Sequence, residues 1–317
     1  MKKSTIAFLT IITLSFLIPT SIILTLNQNQ PTDTPQTTIQ LTEQHKQAQT
    51  FLTDIIGLDP TKYTLSLQPT IPIIEKYDEN KQYYQITSST NNFTATIEYE
   101  NKELIKCEIY GLNEPTQLAQ YSQDPLRIAK DFIAKYKEFS QIPYMTQIQQ
   151  ILNQITKTEP ITIVSDSGET ILKIIQKDPY LTFQWQRTIE GIENEYNQFN
   201  LILKDNCFYT LHDTWESYTI IDAEIKISRS KAISLTKAQA MDERQRYWYD
   251  GKFIRPLSIA DQPLSVELRM RQRTYTGVFP CWIIKFNMVG DYPDFEFIIV
   301  AFIWADTGAI NIQSTGY

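Results

Sequence analysis

The spacing of hydrophobic residues predicts a helix followed by antiparallel strands in residues 44–113. The first part carries an apolar stripe at intervals of three and four residues, which stops before Pro60. Apolar and polar residues then alternate from Tyr63 to Leu67 and from Phe93 to Tyr99, as they do in half-buried strands. The dipeptide Asn101-Lys102 is a turn signal that leads into a return strand.

Residues 124–222 repeat this order of elements. Asp124 is suited to cap the free amides of a helix, and Pro125 fits its first turn. A second apolar stripe from Ile148 to Ile155 predicts another helix. Alternation from Leu181 to Gln186 predicts a strand, and Asp205-Asn206 predicts the turn of a later hairpin.

Residues 227–317 show the order a third time. Either Ser228 or Thr236 is a candidate helix cap, and the helix is predicted to end near Tyr249. Strand alternation follows, and Asp306-Thr307-Gly308 is a tight-turn signal between the last two strands. The strand before this turn, residues 295–304, is apolar on both faces, so we expect a neighbouring module to cover part of it.

Each of these three units places a helical stripe before its strands. A helix laid across a curved antiparallel sheet buries one face of each element. The repeated plan therefore predicts an α+β protein of three tandem modules, with boundaries at 44–113, 124–222 and 227–317.

The N-terminal residues carry a strong apolar signal. Residues 5–26 are free of charge and, at 1.5 Å per residue, reach across ~30 Å of hydrocarbon, which predicts a transmembrane helix. The lysines of the 1–4 stub predict a cytoplasmic N-terminus and an extracellular bulk of the chain, in a single-pass cell-membrane protein. A cleaved secretory signal is the alternative, although the segment lacks a small-residue cleavage site. Residues 27–43 are rich in Thr, Gln, Asn and Pro and predict a disordered linker.

The third unit resembles PepSY modules. The segment ISRSKAISLTKAQA is similar to the opening helix of that family, FPCWIIKF to its central strand and IIVAFIWADTGAINI to its closing hairpin. The resemblance covers residues 227–317, and the two preceding units share a PepSY-like or cystatin-like plan. It implies an extracytoplasmic module, linked to the regulation of proteases and to the cell envelope, without a catalytic motif.

Composition narrows the classes of function. The net charge of −7 argues against nucleic acid as a partner. The chain has only two histidines and contains none of the common nucleotide-binding, hydrolase or zinc-protease motifs. Its three cysteines lie far apart inside strand-like runs, so we interpret Cys107, Cys207 and Cys281 as small buried side chains, with one disulfide as the alternative.

Several residues are candidates for a functional site, but the sequence predicts none of them to form one. His212 and Glu216 share one face of a predicted strand, and Asp291, Asp294 and Glu296 offer oxygen ligands suited to calcium. Trp248 is a candidate for stacking on a sugar ring. Each has a simpler structural interpretation, so the sequence predicts no catalytic, cofactor-binding or metal-binding residue and no cofactor. Asn92 begins an N-glycosylation sequon.

The sequence therefore predicts a membrane-anchored, non-enzymatic binding or regulatory protein of the cell envelope. Its expected partners are the lipid bilayer, through residues 5–26, and an envelope protein such as a protease. A cell-surface glycan-binding module is the first alternative, and a hydrolase with an unrecognised acidic site is the second.

Overall fold

The computed structural model describes residues 43–68, 80–100, 102–110, 124–241, 247–249, 252–254, 258–289 and 297–316. Within these ranges the helices are α1 (Glu43–Thr50), which continues as a π-helical segment (Phe51–Ile55), α2 (Pro125–Ser140), α3 (Met145–Asn153) and α4 (Arg229–Ala240). The strands are β1 (Thr64–Gln68), β2 (Lys81–Thr87), β3 (Asn92–Glu100), β4 (Glu103–Tyr110), β5 (Ile161–Val164), β6 (Thr170–Lys177), β7 (Tyr180–Ile189), β8 (Ile192–Lys204), β9 (Cys207–Asp213), β10 (Thr219–Ile220), β11 (Tyr247–Tyr249), β12 (Lys252–Ile254), β13 (Ser258–Ile259), β14 (Ser265–Gln272), β15 (Gly277–Val289), β16 (Phe297–Trp304) and β17 (Ile310–Gly316).

Most of these strands belong to one sheet. Its main order is β1-β2-β3-β4-β9-β8-β14-β15-β16-β17, with β5, β6 and β7 attached at β8 and with β10 and β13 attached at β15. The strands β11 and β12 form a separate hairpin. Because β4 pairs with β9 and β8 pairs with β14, a single sheet runs through all three segments that the sequence divides into modules.

This continuous sheet corrects the predicted fold class. The first two segments also share one hydrophobic core, in which α1, the π-helical segment, α2 and α3 pack on β2–β4 and β6–β9. Phe51 is fully buried at its centre and meets Phe132, Tyr136 and Phe208 edge-on at centroid distances of 6.1–6.3 Å. Burial of one such side chain stabilises the fold by about 1.5–3 kcal/mol. Because Phe51 of the first segment packs against residues of the second, neither segment completes this core alone.

The prediction of a transmembrane helix is also corrected. No helix among the described residues has the length and apolar character needed to cross a membrane. Residues 5–26 themselves, and the predicted linker 27–43 up to Thr42, lie outside the described ranges.

The third segment comes closest to the predicted plan. Helix α4 lies on β15, β16 and β17, and the indole N–H of Trp282 donates to the carbonyl of Ile227 at 2.7 Å. The helix ends at Ala240, earlier than predicted, and Tyr249 lies in a strand instead. On the second apolar face of β16, the guanidinium of Arg271, in β14, lies 4.0 Å from the ring centre of Phe302.

Local signals for caps and turns agree with the structure. The side chain of Asp124 accepts from the backbone N–H of Leu126, and Pro125 opens α2. Ser228 caps α4, whereas Thr236 sits inside the helix and donates to the carbonyl of Ala232. Positive φ angles of 48° and 60° at Asp205 and Asn206 fit the predicted two-residue hairpin turn.

Candidate functional site

A concave surface lies where the three segments of the chain meet. It consists of two hollows of about 400 and 370 Å3, which share the lining residues Glu100, Ile105, Ser217 and Thr276. We call the two hollows together the acidic groove, because carboxyl groups line it: Glu98, Glu100, Glu103, Asp213 and Glu216. Both volumes fall within the ~300–1,000 Å3 typical of ligand pockets.

Three chain reversals build the walls of the groove. One is the end of the β3–β4 hairpin, and another is the chain that leaves β9 at Asp213 and continues to β10. The third is the β14–β15 hairpin, with Thr276 at its turn, and the loop before α3 adds Ile142 and Tyr144. Loops at strand ends carry their side chains outward on a rigid sheet, which is a common arrangement for binding sites.

Asp213 forms the floor of the groove. Its side chain is almost fully buried and accepts hydrogen bonds from the hydroxyls of Tyr144, at 2.5 Å, and Tyr136, at 3.4 Å, and from the backbone N–H of Trp215, at 3.2 Å. Burial raises the pKa of Asp213 to about 6, against the lowering effect of these hydrogen bonds. The carboxyl therefore joins the helix layer, through α2 and the start of α3, to the end of β9.

The other carboxyl groups are more accessible. Glu103 and Glu216 are exposed, and Glu100 accepts a hydrogen bond from the hydroxyl of Ser217 at 2.6 Å. In the second hollow Lys81 pairs with Glu98 at 3.4 Å. The lining of the first hollow includes four acidic side chains and, within the described part of the chain, no lysine or arginine. The groove therefore favours a cationic occupant by electrostatics.

Tyrosines flank the second hollow. Tyr275 lies at the tip of the β14–β15 hairpin with 93% of its surface exposed. The tip is held in place because Gln272 donates to the carbonyl of Tyr275 at 2.6 Å and Gly277 donates to the hydroxyl of Thr274 at 2.9 Å. Tyr218 lines the same hollow and packs edge-on against Tyr196 at 5.2 Å. The ring of Tyr275 is therefore accessible to a partner that enters the second hollow.

The structure separates His212 from Glu216. His212 lies on the face of β9 opposite Asp213, beside Lys106 and Asn200 on the neighbouring strands. Burial, with help from the charge of Lys106, lowers the pKa of His212. Strand β9 ends at Asp213, so Glu216 leaves the strand and enters the groove. The two side chains do not form a pair.

Other sequence candidates fall outside what the structure describes. Asp291, Asp294 and Glu296 lie in the undescribed range 290–296, and the side chain of Trp248 is not described. Among the described residues no group of His, Cys, Asp and Glu side chains is arranged to hold a metal ion. Asn92 is exposed at the start of β3, and its glycosylation stays a prediction.

All three cysteines are described, and each is buried and outside any disulfide. Burial raises the pKa of Cys207 to about 12 and that of Cys281 to about 11, and it raises the pKa of Cys107 further. Because the thiolate is the reactive form, these side chains act as small apolar residues in the strands. The interpretation of the cysteines as buried is confirmed, and the alternative disulfide is not formed.

Sequence reasoning missed the central residue of the groove. Asp213 follows His212 directly, but one strand position moves a side chain to the opposite face of a sheet. The only local signal was an acidic residue placed on the apolar side of the alternation, next to Leu211 and Trp215. An ionisable residue on a core-facing position needs hydrogen-bond partners, and here two tyrosines supply them.

Comparison with known proteins adds no relative. The chain matches no model of a protein family, and a search of curated proteins gives no match either. The resemblance of residues 227–317 to PepSY modules, the extracellular location and the envelope partner stay predictions.

Proposed function

We propose that this chain is a non-enzymatic binding protein whose acidic groove holds a segment of a protein partner. The observation that carries the proposal is the groove itself, a concave surface at which loops from three distant parts of the chain present carboxyl and tyrosine side chains together. The PepSY resemblance of the third segment favours a protease as the partner.

The surroundings of Asp213 support binding over catalysis. One carboxyl oxygen accepts from two tyrosine hydroxyls and the other accepts from a backbone N–H, so the group is engaged within the protein. A general acid or base has to reach a proton of the substrate. The more exposed Glu100, Glu103 and Glu216 are suited to charge recognition. Among the described residues that line the first hollow there is no histidine to assist a nucleophile.

Site-specific photo-crosslinking tests the proposal. The full chain carries a photoreactive phenylalanine analogue in place of Tyr275, in the cells that make the protein, and a matched chain carries it in place of Arg127 on α2, whose side chain is 73% exposed. We expect one discrete crosslinked protein from position 275 and none from position 127. An equal, diffuse pattern from both positions, or no product from position 275, contradicts the proposal.

A hydrolase is the second candidate, because one observation favours it. The pKa of Asp213 is raised to about 6 in a hollow that also holds Glu103. Many glycosidases use a carboxyl group with a raised pKa together with a second carboxyl group. The purified chain and its Asp213→Asn variant, screened on envelope polysaccharides and peptides, decide this. Turnover that is lost in the variant supports the hydrolase, and turnover by neither protein removes it.

A further inference from the structure

The carboxyl groups of the acidic groove point to the chemistry of the bound segment. Resting on the proposed function, we infer that the groove recognises a basic peptide segment, with a lysine or arginine side chain between Glu100, Glu103 and Glu216 and a neighbouring residue packed on Tyr275. The occupant is thus a protein partner that exposes a stretch containing a basic residue.

Charge is the first step of the argument. In the first hollow the acidic side chains come from β3, β4 and the chain after β9, so they converge from separate elements. Lys81, at the far end of the second hollow, is engaged with Glu98. A cationic side chain entering the first hollow meets several carboxylates and no competing cation from the described lining, and its charge-assisted hydrogen bonds are the strong kind.

Other classes of occupant fit less well. An apolar segment would remove water from Glu100 and Glu103 without offering a hydrogen bond, which is costly for charged groups. A divalent cation needs a compact shell of oxygen ligands, and no such group occurs among the described residues. Acidic segments and nucleic acids are repelled both by the groove and by the net charge of −7.

Tyr275 supplies the second contact. Its ring is almost fully exposed, next to the hollow that holds Glu98 and Glu100, and hydrogen bonds within the hairpin brace the turn that carries it. Exposed tyrosines bury a large area on binding at little cost in side-chain entropy, and their ring faces attract cations. An aromatic ring beside carboxylates matches a side chain that combines an apolar stem with a positive tip.

Fluorescence anisotropy with defined peptides tests this inference on the purified full chain. The probe is a labelled nine-residue peptide that alternates lysine and alanine, and the comparison peptides carry norleucine or glutamate in place of lysine. We expect the lysine peptide to bind at least tenfold more tightly than the norleucine peptide. We expect no measurable binding of the glutamate peptide.

Matched variants separate the groove from the overall charge of the chain. The triple variant Glu100→Gln, Glu103→Gln, Glu216→Gln should weaken lysine-peptide binding at least tenfold and flatten its dependence on salt. The control variant Asp131→Asn, Glu159→Gln, Glu190→Gln changes three acidic residues outside the groove lining and should stay within twofold of the wild type. Tyr275→Ala should weaken binding, and Tyr275→Phe should restore it. Thermal unfolding confirms that each variant is folded.

The outcomes distinguish this inference from the proposed function. Equal binding of the lysine and norleucine peptides, together with a specific crosslink at position 275, overturns the basic segment and keeps the binding groove. Equal weakening by the two triple variants means that the peptide responds to net charge alone, which also overturns the inference. If position 275 gives no crosslink and no peptide binds, both fail.

Discussion

At the scale of single residues, Asp213 shows how one buried carboxyl shapes this protein. Most polar groups that are buried in a folded chain have hydrogen-bond partners. The carboxyl of Asp213 accepts hydrogen bonds from Tyr136, Tyr144 and the backbone N–H of Trp215. Hydrogen bonding does not fully offset the loss of hydration, because the pKa of this carboxyl is still raised. The residue therefore makes the stability of the fold depend on pH.

The replacement Asp213→Asn should remove that dependence. The folded protein holds the proton of this carboxyl more tightly than the unfolded chain does. The protonated carboxyl therefore contributes its full stabilisation below about pH 3.8, and this contribution is lost as the pH rises through about 6. The gap of roughly two pKa units corresponds to about 3 kcal/mol. Relative to the wild type, the variant should therefore gain up to about 3 kcal/mol in free energy of unfolding between pH 4 and pH 7.

Urea unfolding at pH 4, 5, 6 and 7 measures this difference. Asp131→Asn on the exposed face of α2 is the control, and it should leave the shape of the pH profile unchanged. A profile for Asp213→Asn that runs parallel to that of the wild type would mean that Asp213 ionises in the fold as freely as in the unfolded chain.

At the scale of elements, the last hairpin shows how a turn signal becomes a tertiary contact. The turn between β16 and β17 places Gly308 at a φ of +77°, a conformation that favours glycine. The guanidinium of Arg273 makes two hydrogen bonds to Asp306, at 2.9 and 2.7 Å, and also lies 3.6 Å from the ring centre of Phe279. The turn that resembles the PepSY hairpin is thus fixed by Arg273, in the turn between β14 and β15, as well as by its own backbone.

We expect Gly308→Ala to destabilise the protein more than Gly168→Ala does. Both glycines have φ angles near +75°, so each replacement carries the strain of a left-handed alanine, about 1–2 kcal/mol. A methyl group at position 168 meets open space, whereas one at position 308 would lie 3.2 Å from the terminal carbon of Ile227. The side chain of Ile227 must then move away from its site beside α4.

Urea unfolding of the two glycine variants measures the difference in their free energies of unfolding. Repeating the Gly308→Ala measurement in a chain that also carries Ile227→Val identifies the cause of that difference. Ile227→Val removes the carbon atom that the new methyl group would approach, so it should reduce the penalty of Gly308→Ala. Equal penalties for the two glycine variants would show that Ile227 gives way without cost and that backbone strain is the whole effect.

Sequence alone located the elements of this fold better than their arrangement. Helical periodicity, caps and turn signals depend on neighbouring residues, which is why the start of α2 at Pro125 and the turn at Asp205 were predicted. The pairing of β4 with β9 joins residues about a hundred positions apart, and no local pattern specifies which strands meet. The groove depends on that pairing, so its residues were not recognised as a set.

At the scale of the whole molecule, two short strand pairings join the third segment to the second among the described residues, β14 with β8 and β10 with β15. Strand β14 pairs with β8 only through Arg269 opposite Glu193 and Met270 opposite Asn194. The guanidinium of Arg269 reinforces this pairing with hydrogen bonds to Glu193 at 2.6 Å and to Glu195 and Glu267 at 3.0 Å. The groove lies across the same junction, because its walls come from all three segments.

The replacement Arg269→Gln should loosen the third segment without unfolding the rest. Burial alone would raise the pKa of Glu193, but Lys173 and Arg269 together lower it, which shows that the carboxylate relies on both cations. Without the guanidinium, three carboxylates face one another at the junction, and we expect a local cost of about 1–3 kcal/mol. Arg269→Lys should cost less, since it keeps the charge but loses the planar fork.

Hydrogen exchange followed by mass spectrometry checks where this cost appears. Amides of β14 near Met270 should exchange about five- to 140-fold faster in Arg269→Gln, because 1.4 kcal/mol corresponds to a factor of ten, while β3 and β4 keep their protection. The exposed pair Arg127–Asp131 provides a control, and Arg127→Gln should change neither region. A uniform loss of protection across β3, β4 and β14 would mean that the chain opens as one unit. In that case the junction at Arg269 would be no weaker than the core around Phe51, and the groove would be as rigid as the sheet that carries it.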